Sequence, residues 1–246
     1  MYVNMMNMKL VFLTVCLALI GTTKSFGHFF WIETAPKGQI GEQHEIRIYF
    51  GEFTSGEIEK TDGEVFQNAQ NFTIWVVDQN GNKEQLQPQA EASYYASSFT
   101  PKSKGTYSII LDNKKYQVLD YTQYDYGIFR PQYHSVAKVE VGDKRAPKTA
   151  SANPESITII DVSTQEDTAK LQVLFKNKPL ADKEVTVFIK EDWSKKIKTD
   201  SNGVITFSKP FATRYVVEAT HEDELPGSYD GVKYQFTWHC AVYTIN

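Results

Sequence analysis

Hydrophobic and polar positions along this chain follow two patterns, one confined to the first 27 residues and one filling the rest. Leu10 to Ile20 is an apolar run of eleven residues, interrupted only by Thr14, behind Lys9 and ahead of the small and polar tail Gly21 to Gly27. A charged start, an apolar centre and a small-residue end make up the order of a secretory signal peptide. The run is shorter than the roughly 20 apolar residues that cross a bilayer, so a cleaved leader is expected rather than an anchor. From His28 onward, short alternating or β-branched runs recur between turn signals. They cover 28–33, 45–50, 72–78, 94–99, 106–112, 116–121 and 136–141, then 157–161, 171–175, 185–190, 204–208, 215–220 and 234–245. Asn80-Gly81, Asn113-Lys114 and Asn202-Gly203 provide residues that tolerate positive φ in tight turns. No stretch repeats apolar residues convincingly at helical spacing.

Many short strands between such turns predict an all-β chain, built as sandwich or barrel. Gly142 to Ser156 interrupts the pattern with a segment rich in Lys, Ala, Ser and Pro, which reads as a linker. The expected organisation is a signal peptide over 1–27, a β-sandwich domain over 28–141, a linker over 142–156 and an immunoglobulin-like β-sandwich over 157–246.

Composition narrows the function. The leader carries two lysines and no acid, so the remainder has 24 basic and 30 acidic residues, a net charge of −6. An acidic chain without a basic cluster is a poor partner for nucleic acid. Only Cys240 remains beyond the leader, so no internal disulfide can form and the fold must be held by burial, for which the whole chain's 15 Phe and 14 Tyr, all but Tyr2, Phe12 and Phe26 beyond the leader, are available. No nucleophile elbow, phosphate loop, dinucleotide glycine pattern or zinc or EF-hand spacing occurs. Thirty acidic residues always offer carboxylate pairs, so a glycosidase pair has no weight without geometry. The expectation is a non-enzymatic protein, periplasmic or secreted, with no membrane insertion after signal cleavage.

Candidate chemistry centres on His28. Cleavage after Gly27, with Ser25 three residues before the cut, leaves His28 with a free α-amine beside its imidazole, a histidine brace. Cleavage after Ser25 leaves Phe26-Gly27-His28, whose amine, two amides and imidazole form a four-nitrogen square plane suited to Cu(II) or Ni(II). The alternative is structural: a ring that opens a strand and is hydrogen-bonded at the sandwich end. A copper monooxygenase brace would need a second imidazole, for which His134 is the nearest candidate. His221, in the acidic stretch His221 to Glu224, and His239 on the last strand are further candidate ligands. Cys240 should face opposite to His239 and be a buried small hydrophobe. His44 reads as surface. The segment Tyr121 to Tyr133 interleaves aromatics with Arg130 and Pro131, which suits ligand stacking through Tyr124, Tyr126, Phe129 and Tyr133, or packing between the two domains.

Several motifs carry a resemblance. His28-Phe29-Phe30-Trp31-Ile32-Glu33 resembles the opening of a bacterial periplasmic family of unknown function, described as the nickel-uptake substrate-specific region. Lys104-Gly105-Thr106-Tyr107, Thr220-His221-Glu222, Pro226-Gly227-Ser228-Tyr229-Asp230-Gly231 and Trp238-His239-Cys240 resemble it in the same order. Lys178-Pro179-Leu180 followed by Thr199-Asp200-Ser201-Asn202-Gly203 also resembles transthyretin or carboxypeptidase-regulatory domains. Where that family often has Gly-His after the second strand, this chain has Gly51-Glu52, a carboxylate in place of an imidazole. The resemblance implies an accessory protein that binds a divalent transition metal, nickel or cobalt and by the chelate argument copper, and passes it to a metal-importer membrane component. The competing expectation is an extracytoplasmic ligand-binding or adhesion module that uses the aromatic segment without metal.

Overall fold

The computed structural model describes residues 27–142, 153–190 and 193–246. Residues 1–26 of the expected leader, with the expected cut after Ser25, and most of the expected linker lie outside the described residues. The chain is almost entirely β, as the pattern predicts. Its spine is one sheet of ten strands. The main path runs Trp193–Lys198, Glu184–Ile189, Tyr215–Asp223, Phe236–Ile245, Ile128–Val141, Gly105–Asn113, Thr73–Val77 and Lys83–Leu86. Strands from before and after the linker are therefore neighbours in a single ladder. The seam between them is a parallel pair, Ile128–Val141 with Phe236–Ile245, in register from Phe129 opposite Phe236 to Ala137 opposite Thr244.

Two smaller sheets supply the other walls of two cores. The first contains Phe29–Thr34, His44–Glu52 and Tyr95–Phe99; the second contains Ile157–Asp161, Thr168–Phe175 and Val204–Ser208. Because successive side chains on a strand point to opposite faces, the spine feeds both cores. On the last strand Trp238, Cys240 and Val242 join the core of the first sheet, while Ala241 and Tyr243 join that of the second. Covered on both faces, this strand is buried from Thr237 to Thr244 and shows the near-continuous burial usual for central parallel strands.

Most expected runs fall on strands, and the departures have physical causes. The expected strand at 136–141 begins much earlier, at Ile128, so Phe129 and Tyr133 belong to a strand and not to a loop. Pro131 disguises it. Proline cannot donate to a ladder, but Pro131 lies where the strand has only the last strand as a ladder partner, between Phe129, which also pairs with Leu119, and Lys138–Val141, where Gly105–Ser108 is the partner. The expected strand at 116–121 is reduced to Leu119–Asp120. A six-residue helix, Glu64–Ala69, buries Phe66 and Ala69 and is too short to display a period. The sheet's two edge strands, Lys83–Leu86 and Trp193–Lys198, are unexpected because they are polar. Lysines at 83, 195, 196 and 198 guard them against further strand pairing. His44 is not on the surface: it is 7% exposed, with its Nε2 2.8 Å from Thr34 Oγ1, and burial pulls its pKa down.

A spine shared by both cores makes unfolding a single event. Ile48→Ala in the first core and Leu171→Ala in the second, both fully buried now, are each expected to cost about 2–5 kcal/mol. Each should lower one common urea midpoint, read by far-UV circular dichroism and by aromatic fluorescence. Two separated transitions, with each variant moving only one, would contradict a shared spine.

Candidate metal and ligand site

His28 sits one residue before the first strand, at one end of the first core. Its ring packs against Phe50 at 5.8 Å between centroids, and its Nε2 lies 2.7 Å from Glu59 Oε1. The carboxylate is delivered by a short hairpin. Glu57–Ile58 pairs with the end of strand His44–Glu52, Gly51 opposite Ile58 and Glu52 opposite Glu57, and the Glu59 N–H donates to the Phe50 carbonyl at 2.9 Å. Gly51 permits this close return: at its φ of +146°, a Cβ would stand 2.2 Å from the Glu57 carbonyl oxygen. One ligand atom from each of His28, Glu57 and Glu59 lies within 4.8 Å of the others. His28 and Glu59 are half-buried and Glu57 is exposed. Among the described residues this is the one group of three or more such side chains that could hold an ion.

The donor set fits a divalent first-row ion. Metal–nitrogen and metal–oxygen bonds of about 2.1 Å place neighbouring ligand atoms about 3 Å apart, close to the observed 2.7 Å between His28 Nε2 and Glu59 Oε1. One imidazole and two carboxylates are mixed borderline and hard donors, which suit such ions better than a soft thiolate set would. Glu52, the residue standing where the resembled family often has histidine, is at the same place. A Cβ on Gly27 would fall 2.4 Å from Glu52 Oε1.

His28 and Glu52 also line a cavity of about 780 Å³, and the aromatic candidates meet them there. Tyr124, Tyr126, Phe129 and Tyr133 all line it, with Tyr116 and Trp238. Phe129 stacks on Phe236 at 5.5 Å and 12°, Tyr126 meets Phe129 edge-on, and the Tyr126 hydroxyl donates to Glu222 Oε1 at 2.7 Å. Burial raises Tyr116 to about 12, and burial together with Glu222 raises Tyr126 further. These phenols stay protonated at neutral pH, so they present rings and hydroxyls rather than phenolate ligands.

The other three histidines are elsewhere. Tyr133 and His134 alternate across the spine, so His134 points to the opposite face, away from His28, and does not supply the second imidazole of a brace. His134, Ser156 and His239 form a buried chain: Ser156 Oγ is 2.7 Å from His134 Nε2 and 2.5 Å from His239 Nδ1, and Asp112 Oδ1 is 2.8 Å from His134 Nδ1. A proton on His134 Nδ1, facing the carboxylate, lets Ser156 donate to His134 and accept from His239. Asp, His and Ser in this order have the types of a hydrolytic triad, but Ser156 is fully buried between two imidazoles and out of reach of a substrate. His221 lies directly across from His239 on the neighbouring strand, its ring 4.2 Å from that of Phe175. Cys240 is fully buried in the first core, on the face opposite His239.

No partner among the described residues meets His239 Nε2, and burial, aided by His134, pushes the pKa of His239 down to about 3. In an unfolded chain the group takes up a proton near pH 6.5. Between about pH 6.5 and pH 3 the unfolded state therefore binds more protons, and stability falls as pH is lowered. The contribution is complete above pH 6.5 and is lost towards pH 3. By pH 4 the loss is expected to be on the order of 3 kcal/mol. The fall in urea midpoint from pH 7 to pH 4 should be smaller in His239→Gln than in the unaltered protein; equal falls would remove His239 from the account.

Comparisons with known proteins give the following. No curated protein matches the chain. Solved structures with a similar course include the Y1175G mutant of Salmonella alpha-2-macroglobulin (10% identity, TM-score 0.30, covering 88% of this chain and 15% of that one). The native conformation of E. coli alpha-2-macroglobulin gives 9% identity and a TM-score of 0.29, covering 91% of this chain and 14% of that one. The BSP domain of a biofilm associated protein gives 12%, 0.23, 87% and 29% in the same order. The chain thus spans less than a third of the length of each. No helix among the described residues is long and apolar enough to cross a membrane. Residues 25–223 match the family model described as Domain of unknown function (DUF4198), and the chain belongs to that family.

Proposed function

We propose that this chain is an exported, non-catalytic metal-handling protein that binds a divalent transition metal, nickel or cobalt or copper in their place, and passes it to a membrane importer. The observation that carries this reading is the convergence of His28, Glu57 and Glu59, whose ligand atoms lie within 4.8 Å of one another at an accessible edge. Three donors on a half-exposed rim suit cargo that must leave again, whereas a structural ion is normally enclosed by a complete protein shell. Cleavage after Gly27 would place the α-amine of His28 beside the same ion as a fourth donor.

A second reading is favoured by the cavity. Its volume of about 780 Å³ lies within the usual range for small-molecule sites, so an organic ligand could be bound there without metal, with His28–Glu59 serving as an ion pair at the rim.

Calorimetric titration of the exported protein with Ni(II), Co(II) and Cu(II) separates the two. The metal reading expects one site, weakened at least tenfold (about 1.4 kcal/mol) in His28→Ala and in Glu57→Gln/Glu59→Gln, with the urea midpoints of the variants checked alongside. Undiminished binding in both variants would falsify it.

A further inference from the structure

The geometry points to the form in which the ion is bound: we propose that the site takes a metal already carrying a small, uncharged aromatic nitrogen chelator, whose rings occupy the tyrosine-lined cavity. This rests on the metal reading above and adds the class of its co-ligand.

The first argument is coordination. His28, Glu57 and Glu59 offer three ligand atoms, while nickel and cobalt ions take four to six donors in tetragonal or octahedral shells. One or more positions are left for groups from outside the chain. The second argument is space. His28, though neither Glu57 nor Glu59, belongs both to the donor cluster and to the wall of the cavity, so positions open on the His28 side adjoin a volume of about 780 Å³. Three waters completing the shell would fill about 90 Å³ of it. The remainder matches a molecule, not a hydration shell.

The third argument is the chemistry of the walls. Tyr116, Tyr121, Tyr124, Tyr126, Phe129 and Trp238 give rings on which a flat heteroaromatic can stack. The charged groups among the lining residues are Glu52 and Asp125, and no lysine or arginine lines the cavity. Citrate-like or other anionic chelators would be repelled. A neutral imidazole- or pyridine-type chelator leaves the complex with the cation's positive charge, which the two carboxylates and the ring faces favour. The floor is already in place: Phe129 stacks on Phe236 and Tyr133 meets Trp238 edge-on across the seam, on strands that both cores hold fixed. Little ordering is then left to offset the gain on binding.

The test uses Ni(II) alone, its 1:1 complex with 2,2′-bipyridine, its 1:1 complex with citrate, and bipyridine without metal, each titrated into the exported protein by calorimetry. The bipyridine complex is expected to bind at least tenfold more tightly than Ni(II) alone and the citrate complex more weakly than either. Tyr124→Ala removes a ring that is 49% exposed and should not disturb folding. It is expected to weaken the bipyridine complex about tenfold and to change binding of Ni(II) alone by no more than twofold. Equal affinity for Ni(II) and its bipyridine complex, or an unchanged affinity of the complex in Tyr124→Ala, overturns the inference and leaves the metal reading intact. Bipyridine alone binding as tightly as its complex also overturns it, in favour of a cavity that works without metal. Failure of every nickel species to bind removes both.

Discussion

The parallel pairing of Ile128–Val141 with Phe236–Ile245 is the constraint from which the rest of the molecule follows. Neither core is complete without it. The last strand gives Trp238, Cys240 and Val242 to one core and Ala241 and Tyr243 to the other, so loss of this ladder would open both cores at once. Burial on two faces also decides what the polar groups at the seam must do. A buried polar group without a partner costs on the order of 1–3 kcal/mol, and the seam answers with two networks reaching the sheet that contains Ile157–Asp161. Asp112, His134, Ser156 and His239 form one. In the other, Lys138 Nζ lies 2.8 Å from Asp161 Oδ2 and the Tyr243 hydroxyl donates to the same oxygen at 2.9 Å. Burial would raise Asp161, but the charge and hydrogen bond of Lys138 outweigh it and hold the carboxyl below its ordinary value. Both networks fasten the segment around Ser156 to Asp161 to the strand pair it covers.

The same seam makes the candidate site. Tyr133 from one strand and Trp238 from the other lie together on the cavity's floor, one contributed before the linker and one after it. A description of two tandem sandwiches divides the chain in sequence, but the cavity draws on both sides of that division. Positioning of the rings therefore depends on long-range pairing, while its opening is set locally by His28, Glu52 and the 116–126 segment. Rings held on rigid strands and donors held at a rim are different kinds of support, and they leave different freedoms to a bound group.

Much of the architecture was legible in the chain because strand alternation is local. The runs at 157–161 and 204–208 match their strands to the residue, and alternation alone places Tyr133 and His134 on opposite faces. What could not be read is a partner more than a hundred residues away. Nothing in the sequence around His134 indicates that Ser156 and His239 will enclose it, and so four histidines that look equivalent as candidate ligands divide into one at a rim and three beyond the spine. Glu57 and Glu59 escaped for the opposite reason: GEIEK reads as a solvated hairpin, and its closeness to His28 arises only when that hairpin folds back on Gly51. The available hint was Gly51-Glu52, a carboxylate at a position where histidine is often found in the resembled family. Glu52 lines the same cavity as His28, but it does not reveal the two neighbours.

The supports of the three donors differ in a way that bears on selectivity. The His28 ring rests on Phe50, and Phe50 packs in turn against Phe30, Phe66 and Tyr133. Its place is thus set by the first core, through rings that resist displacement as a close-packed interior does. Glu57, exposed, and Glu59, half-buried, belong to a short hairpin and reach the site on longer, less constrained side chains than the imidazole. Under the metal reading proposed above, the imidazole would be the better-fixed donor and the carboxylates the more adjustable ones, so ions of somewhat different radius would be met by moving oxygens and not nitrogen. A site built this way would discriminate weakly by size. Under that reading discrimination would come from donor type or from whatever else the cavity holds against the ion, and the lining of rings and carboxylates has the chemistry to provide it.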